Sequence, residues 1–205
     1  LITTVSEIPE EYIGITTKIV SIFENTYNRK LDDVIYVSLT EHIHGAIERY
    51  NNGIQINNPL ILDIKRLFSQ EYDTAKKALE IIKEEFGVEF NDDEAGYIAH
   101  HIVNAELNND MSNIVNITKI MHEILNIIKY HFKVEFDEET VPYYRFVTHL
   151  KFFAQRVFNK SAYEDNETDL FNILKVKYEK SYMCTNKIKD FIEHKYQYTL
   201  SDEEQ

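Results

Sequence analysis

The amino-acid sequence predicts an all-α protein made of two homologous antiparallel helical bundles in tandem. Glycine and proline, the residues that most often interrupt helices and form turns, number only five and three among 205 residues. Apolar residues recur at spacings of three and four, as they do on the buried face of a helix. The order of elements in the first half also returns in the second half. These observations favour helices over strands and a tandem repeat over one large domain.

The first half divides into helices at its proline, glycine and asparagine residues. Pro9 suits the first turn of a helix, whose predicted inner face includes Ile13 and Phe23. A second helix is predicted to end near residues 51–53, which read Asn-Asn-Gly. Asn58, which is followed by a proline, is expected to cap a third segment.

The helix that follows has the clearest end in the chain. Apolar residues at helical spacing over 75–86 form an amphipathic pattern, and Gly87 is expected to end it in a left-handed conformation. Asn91 and Glu94 then have the spacing of a capping box, with a side-chain cap first and a carboxylate three residues later. This signal begins the helix that contains His101.

The second half repeats this order after the polar linker at residues 108–113. Three stretches match their counterparts: 18–33 with 123–138 at a shift of 105, 42–49 with 149–156 at 107, and 85–94 with 195–204 at 110. We therefore predict domains at residues 1–108 and 109–205. The last register places the counterpart of His101 six residues past Gln205. We expect the second domain to be truncated in its last helix, and a further patterned histidine to lie beyond this chain.

One histidine pattern occurs three times. His42, His101 and His149 each occupy the fourth position of apolar-x-x-His-apolar-x-x-apolar, which places the imidazole at the edge of a buried helix face. Packing alone would accept Leu or Phe there, so the recurrence of a titratable, nucleophilic ring favours a function. Arg49 and Arg156 follow two of these histidines by seven residues. They either pair with nearby carboxylates or meet a phosphate.

The remaining histidines are interpreted as surface or helix-end residues: His44, His100, His122, His131 and His194. Histidines one or two positions apart on a helix diverge too widely to chelate a metal as i,i+4 pairs do. A metal site is therefore a minor alternative, and its best version combines histidines from both repeats with Glu41 or Glu94. We predict neither a metal nor a cofactor.

The composition restricts the class of protein further. A formal charge of −13 repels phosphate backbones, so the chain is a poor nucleic-acid binder by itself. The single cysteine, Cys184, suits a reducing cytoplasm, and no apolar run approaches the length of a membrane span. A nucleophile elbow and a Gly-rich phosphate loop are both missing, which argues against an ordinary enzyme. The start without methionine suggests a fragment of a longer protein.

Three motifs carry a resemblance to a known family. Residues 38–49, 95–107 and 144–156 resemble, in the same order, the PTS regulation domains of transcriptional antiterminators of the BglG/SacY family. The resemblance covers essentially the whole chain. It implies two all-helical domains that follow a small N-terminal RNA-binding domain, which is absent here. That absence agrees with the acidic charge and with the start without methionine.

The resemblance implies a regulator rather than an enzyme. In the family, histidines accept a phosphoryl group from the carrier HPr or from a sugar permease (EII) of the phosphotransferase system. His42 and His101 match the pair in the first domain, and His149 matches the first of the pair in the second. His44 and His100 adjoin the expected sites. The domains form homodimers, and phosphorylation in one domain opposes activity while phosphorylation in the other promotes it.

Two alternatives of other classes remain open from the residues alone. One is a metal-dependent helical enzyme that uses clustered histidines. The other is a plain helical interaction module whose histidines only pack. Bound metal in stoichiometric amount would favour the first, and an oligomeric state that ignores phosphorylation would favour the second.

Overall fold

The computed structural model describes residues 8–107, 111–161, 175–201 and 204, and within these ranges the protein is helical, with no β-strand. The first half contains α1 (Glu10–Tyr27), α2 (Val34–Asn51), α3 (Ile61–Leu67), α4 (Ser69–Phe86) and α5 (Asp92–Leu107). The second half contains α6 (Met111–Phe132), α7 (Val141–Asn159) and α8 (Glu179–Tyr196). The all-α prediction is confirmed. None of these helices is both long and apolar enough to cross a membrane.

The chain forms two compact units, Leu1–Ile114 and Val115–Gln205. In the first unit α1 packs against α2 and α4, α5 packs against the same two helices, and α3 covers α4 and α5. In the second unit α7 packs against α8. The central position of α5 leaves most of its side chains buried. Gly96 is required there, because a Cβ atom would lie 2.6 Å from Asn58 Nδ2.

The buried face of α1 differs from the predicted one. Phe23 is fully buried as expected, but Ile13 is 38% exposed, so the prediction for Ile13 was wrong. The buried face begins with Tyr12 and includes Thr16, whose hydroxyl is hydrogen-bonded to that of Thr40 at 2.9 Å. Because a threonine is buried and an isoleucine is exposed, the pattern of apolar residues in the sequence does not show which face of α1 is buried.

The helix ends of the first unit follow their sequence signals. α2 ends at Asn51, and α4 ends at Gly87, whose φ of 68° confirms the predicted left-handed cap. Asn58 Oδ1 accepts a hydrogen bond from the Leu60 amide at 3.0 Å, one residue before α3 begins. Asn91 Oδ1 accepts a hydrogen bond from the Glu94 amide at 3.3 Å and so caps α5.

The repeat is visible in the backbone. Among the described residues, the positions outside helices with positive φ form three pairs: Asn28 (52°) with Lys133 (55°), Gly53 (69°) with Lys160 (53°), and Gly87 (68°) with Gln197 (53°). These pairs are separated by the shifts found in the sequence, 105, 107 and 110 residues. Helices in the two units therefore end at equivalent positions.

One surface ion pair also recurs, with its charges exchanged. Lys18 pairs with Glu85 at 3.5 Å in the first unit, and Glu123 pairs with Lys195 in the second. By the same shifts Lys18 corresponds to Glu123, and Glu85 corresponds to Lys195. The two units therefore have an ion pair at the same place, with the positive and the negative residue exchanged.

Candidate functional site

Helices α2 and α5 bring two of the patterned histidines together. The ring centroids of His42 and His101 lie 4.8 Å apart, at an interplanar angle of 42°. Both rings line an open cleft of about 500 Å³, together with Ser38, Glu41, Arg49, Ile56 and Tyr97. Tyr97 donates a hydrogen bond to the Asn57 carbonyl at 3.0 Å, which holds its ring beside His42. Two imidazoles and one guanidinium therefore lie together in the lining of this cleft.

A buried carboxylate joins the histidine to the arginine. Glu94 Oε2 lies 3.1 Å from His42 Nε2, and Glu94 Oε1 accepts a hydrogen bond from Arg49 Nη2 at 3.2 Å. Burial raises the pKa of Glu94, but the hydrogen bonds and positive charge of His42 and Arg49 outweigh it, so the pKa is lowered overall. Glu94 is therefore ionised at neutral pH.

The predicted capping box at Asn91 is only half formed. Asn91 caps the Glu94 amide, but the Glu94 carboxylate turns to His42 and Arg49. The carboxylate half of that prediction was wrong. The physical reason is that α2 offers Glu94 two side-chain donors, one of them the cationic Arg49, in place of the single backbone amide of Asn91.

Two adjacent histidines of α5 are buried as neutral rings. Burial, with a smaller contribution from the charge of nearby His42, lowers the pKa of His101 to about 3 and that of His100 to about 4. His100 is only 8% exposed, so its interpretation as a surface or helix-end residue was wrong. Because α5 is covered on most sides, the side chain next to His101 also lies inside. Neutral imidazoles keep the nitrogen lone pair that nucleophilic chemistry requires.

The second unit places its patterned histidine differently. His149 on α7 is exposed, whereas His42 is largely covered and His101 is buried, so the expectation of one shared environment was wrong. Glu204, the counterpart of Glu94, accepts hydrogen bonds from Arg156 Nε at 2.8 Å and from the Tyr198 hydroxyl at 2.9 Å. In the first unit Val88 stands where Tyr198 stands here. The expected counterpart of His101 lies outside the described residues.

The other histidines lie away from the cleft. His44 packs edge-on against Tyr12, with ring centroids 5.0 Å apart. His131 and His194 lie in the last turns of α6 and α8, as helix-end residues. His122 lies within α6 and is half-buried. Among the described residues no group of three or more His, Cys, Asp or Glu side chains is placed to hold a metal.

Sequence reasoning missed the role of the two glutamates. Glu94 was interpreted as a cap or a possible metal ligand, and Glu204 was noted only as part of a repeat. A signal was present, since each repeat contains both an Arg seven residues after a patterned His and a Glu three residues after an Asn or Ser. Because the arginine and the glutamate both recur in the second copy, the sequence could have indicated that Arg49 pairs with Glu94 and Arg156 with Glu204.

The comparisons with known proteins agree with this architecture. The PRD domain family matches residues 17–105 and 122–205, so the chain contains two PRD domains in tandem. This arrangement defines a class of transcriptional regulator. The chain is 50% identical over 202 residues to the transcription antiterminator LicT of Bacillus subtilis (strain 168), which covers 98% of this chain and 73% of LicT. It is 41% identical over 197 residues to the beta-glucoside operon antiterminator of Dickeya chrysanthemi, covering 96% and 70%.

The chain therefore belongs to the family of transcription antiterminators with PRD domains. Among solved structures, a crystal structure of GlcT CAT-PRDI matches 51% of this chain and 62% of its own, at 30% identity and a TM-score of 0.48. The family consists of regulators, which is consistent with the predicted lack of enzymatic activity.

Proposed function

We propose that this chain is the cytoplasmic regulatory region of its antiterminator, controlled by reversible histidine phosphorylation by the sugar phosphotransferase system. The observation that supports it most is the cleft in the first unit. There His42 and His101 lie 4.8 Å apart beside Glu94 and Arg49. The two imidazoles can accept a phosphoryl group, the arginine can bind it, and the carboxylate joins the two helices that the switch would alter.

A phosphoryl group would alter the charges in this cleft. It adds roughly −2 charge and several hydrogen-bond acceptors at neutral pH. At His42 this charge attracts Arg49, which in the unphosphorylated chain donates a hydrogen bond to Glu94 at 3.2 Å. Because His42 and Arg49 lie on α2 and Glu94 lies on α5, the contact between the two helices changes. Phosphorylation is thereby coupled to helix packing.

The proposed donors are HPr and a sugar-specific permease (EII). The proposed acceptors are His42 and His101 in domain 1–108 and His149 in domain 109–205. His149 is exposed on α7, which suits direct approach by a donor protein. The chain acts as a homodimer, and the dimer arrangement controls RNA binding by an N-terminal domain outside this chain.

The proposal is tested by incubating the chain with phosphoenolpyruvate, enzyme I and HPr, with and without a sugar permease. Phosphohistidine is then mapped by mass spectrometry at neutral pH, since the bond is acid-labile. We expect label on His149 with HPr alone, and label on His42 or His101 when the permease is present. His42→Ala, His101→Ala and His149→Ala should each remove label from one position.

His194→Ala is the matched control, because His194 is exposed in the last turn of α8 and is no predicted acceptor. It should leave the labelling pattern unchanged. Absence of label from all three histidines, both here and in a version that extends past Gln205, would overturn the proposal. An unchanged dimer population after stoichiometric labelling would contradict the coupling to assembly.

A further inference from the structure

We infer that Glu94 is a positioning residue that keeps the proton of His42 on Nε2 and so makes Nδ1 the phosphoryl-accepting nitrogen of that ring. This inference rests on the proposed function and goes further, because it assigns the chemistry to one atom. It concerns the first unit alone, where the carboxylate and the histidine are in contact.

The assignment of the proton follows from the hydrogen-bond inventory. An ionised carboxylate has acceptors but no donor, and a neutral imidazole carries one N–H and one lone pair. Glu94 Oε2 lies 3.1 Å from His42 Nε2, so that nitrogen must donate. The other oxygen of Glu94 is held by Arg49 at 3.2 Å, which prevents the carboxylate from turning away. The lone pair of His42 is therefore on Nδ1.

The transfer step balances with the proton in this place. The Nδ1 lone pair attacks phosphorus, the P–N bond of the donor phosphohistidine breaks, and its electron pair returns to the donor ring. Nε2 keeps its proton, so the phosphorylated His42 ring carries a positive charge. The buried Glu94 carboxylate accepts a hydrogen bond from that cation, which strengthens the bond. A protonated ring is also a good leaving group, so the phosphoryl group can be passed back.

Phosphorylation at Nε2 would be opposed by the same residues. The Nε2 proton would have to leave and the hydrogen bond to Glu94 would be lost. A dianionic phosphoryl group would then lie against a carboxylate whose side chain is only 8% exposed, where like charges repel strongly. The geometry thus favours one nitrogen over the other.

The second unit provides an internal control. Glu204 occupies the position of Glu94, but its carboxylate accepts from Arg156 and from the Tyr198 hydroxyl, and His149 is exposed. We therefore do not expect Glu204 to fix the tautomer of His149. Within the first unit Glu41 is the matched control, because it lines the same cleft as His42 while Glu94 is the carboxylate bonded to the ring.

The first measurement reads the tautomer directly in the full chain without any phosphoryl donor. Long-range ¹H–¹⁵N NMR of the His42 ring at pH 7.5 should show a protonated Nε2 and an unprotonated Nδ1. Glu94→Gln, which removes the charge but keeps the shape, should relax this preference by about tenfold, as loss of a charge-assisted hydrogen bond implies. Glu41→Gln should keep the wild-type tautomer, because the carboxylate of Glu94 remains.

The second measurement identifies which imidazole nitrogen carries the phosphoryl group after transfer. After labelling with phosphoenolpyruvate, enzyme I, HPr and permease, ³¹P NMR distinguishes the Nδ1 and Nε2 phosphohistidine isomers. We expect the Nδ1 isomer at His42, a mixture of isomers with an about tenfold slower transfer in Glu94→Gln, and an unchanged isomer at His149 in Glu204→Gln.

The outcomes separate this inference from the proposed function. Label at His42 Nε2, or a protonated Nδ1 in the free chain, would overturn the inference and leave phosphorylation of the first unit standing. Label absent from the first unit alone would overturn the inference, and label absent from His149 as well would overturn the proposed function. Glu94→Asp, which keeps the carboxylate, should give the wild-type isomer where Glu94→Gln gives a mixture, which a merely structural role does not predict.

Discussion

Two glutamates at equivalent positions, Glu94 and Glu204, show how the two units differ. Each is buried and bonded to the arginine that follows a patterned histidine. Glu204 also completes a capping box, since Ser201 caps its amide at 3.3 Å and the Ser201 amide donates to its carboxylate at 3.4 Å. Glu94 leaves its capping box incomplete and binds His42 instead. The first unit thus uses in its site a carboxylate whose counterpart in the second unit takes part in a capping box.

The same contrast appears at the helix ends. The three left-handed positions of the first unit are occupied by one Asn and two Gly, which tolerate that conformation. Their counterparts in the second unit are two Lys and one Gln, which do so at a cost. The second unit has the same backbone turns with less suitable residues. The second unit therefore carries more backbone strain at these turns than the first.

The largest expected difference between the units is their response to acid. An unfolded histidine has a pKa near 6.5, whereas the folded pKa is about 4 for His100 and about 3 for His101. As the pH falls from 6.5, the unfolded state binds protons that the folded state cannot, so stability is lost down to the folded pKa. We expect the first unit to lose about 2 kcal/mol for each ring by pH 4.5.

Hydrogen exchange at pH 7 and pH 5, followed by mass spectrometry, assigns this loss to a unit. Protection should fall in peptides of α5 and change less in those of α7, where His149 is exposed. His100→Gln should reduce the pH dependence of the first unit, and His194→Ala should leave it unchanged. Equal acid sensitivity of both units would contradict this account.

Much of this architecture follows from sequence pattern, and the exceptions have physical causes. The all-helical fold and the ends at Gly53 and Gly87 are local properties, set by periodicity and by residues that adopt positive φ. The burial of His100 and the exposure of Ile13 depend on which neighbouring helices cover them. Periodicity cannot supply that information, because it describes one helix at a time.

The candidate site was predictable only in part for a related reason. The sequence pattern singled out His42 and Arg49 because their positions repeat. The carboxylate that joins them comes from a helix more than forty residues later. Its own local signal, a capping box with Asn91, gave a satisfactory but incomplete explanation of Glu94. A residue with an adequate local role is easily overlooked as part of a distant site.

Replacing Arg49 and Arg156 tests how strongly each buried glutamate depends on its arginine for stability. Arg49→Gln leaves buried Glu94 without its cationic partner, and we expect the first unit to lose about 2 kcal/mol. Arg156→Gln should cost the second unit about 1 kcal/mol, because Tyr198 and Ser201 still donate to Glu204. Urea unfolding with hydrogen exchange in each unit measures both values. A greater loss for Arg156→Gln would show that the carboxylate of the second unit depends more on its cation.

Tyr198→Phe removes the donor that distinguishes the second site. Its hydroxyl lies 2.9 Å from both oxygens of Glu204, and burial together with this hydrogen bond raises the pKa of Tyr198 to about 12. Loss of one hydrogen bond to a buried carboxylate should cost about 1.5 kcal/mol in the second unit alone. Thermal unfolding at pH 7 gives the loss, with Tyr130→Phe, at an exposed tyrosine, as the control. Two equal unfolding temperatures would rule out the bond as a stabilising contact.

The smallest expected effect comes from exchanging the residues at one pair of turns. Gln197→Gly relieves a side chain at a φ of 53° and should stabilise the second unit by about 0.5 to 1 kcal/mol. Gly87→Gln should destabilise the first unit by a similar amount, since φ is 68° there. No heavy atom lies within 4 Å of an added Cβ atom, so strain rather than a clash is the cause. Urea midpoints of the two variants should move in opposite directions, and a shift of the same sign in both would show that the two turns are not equivalent.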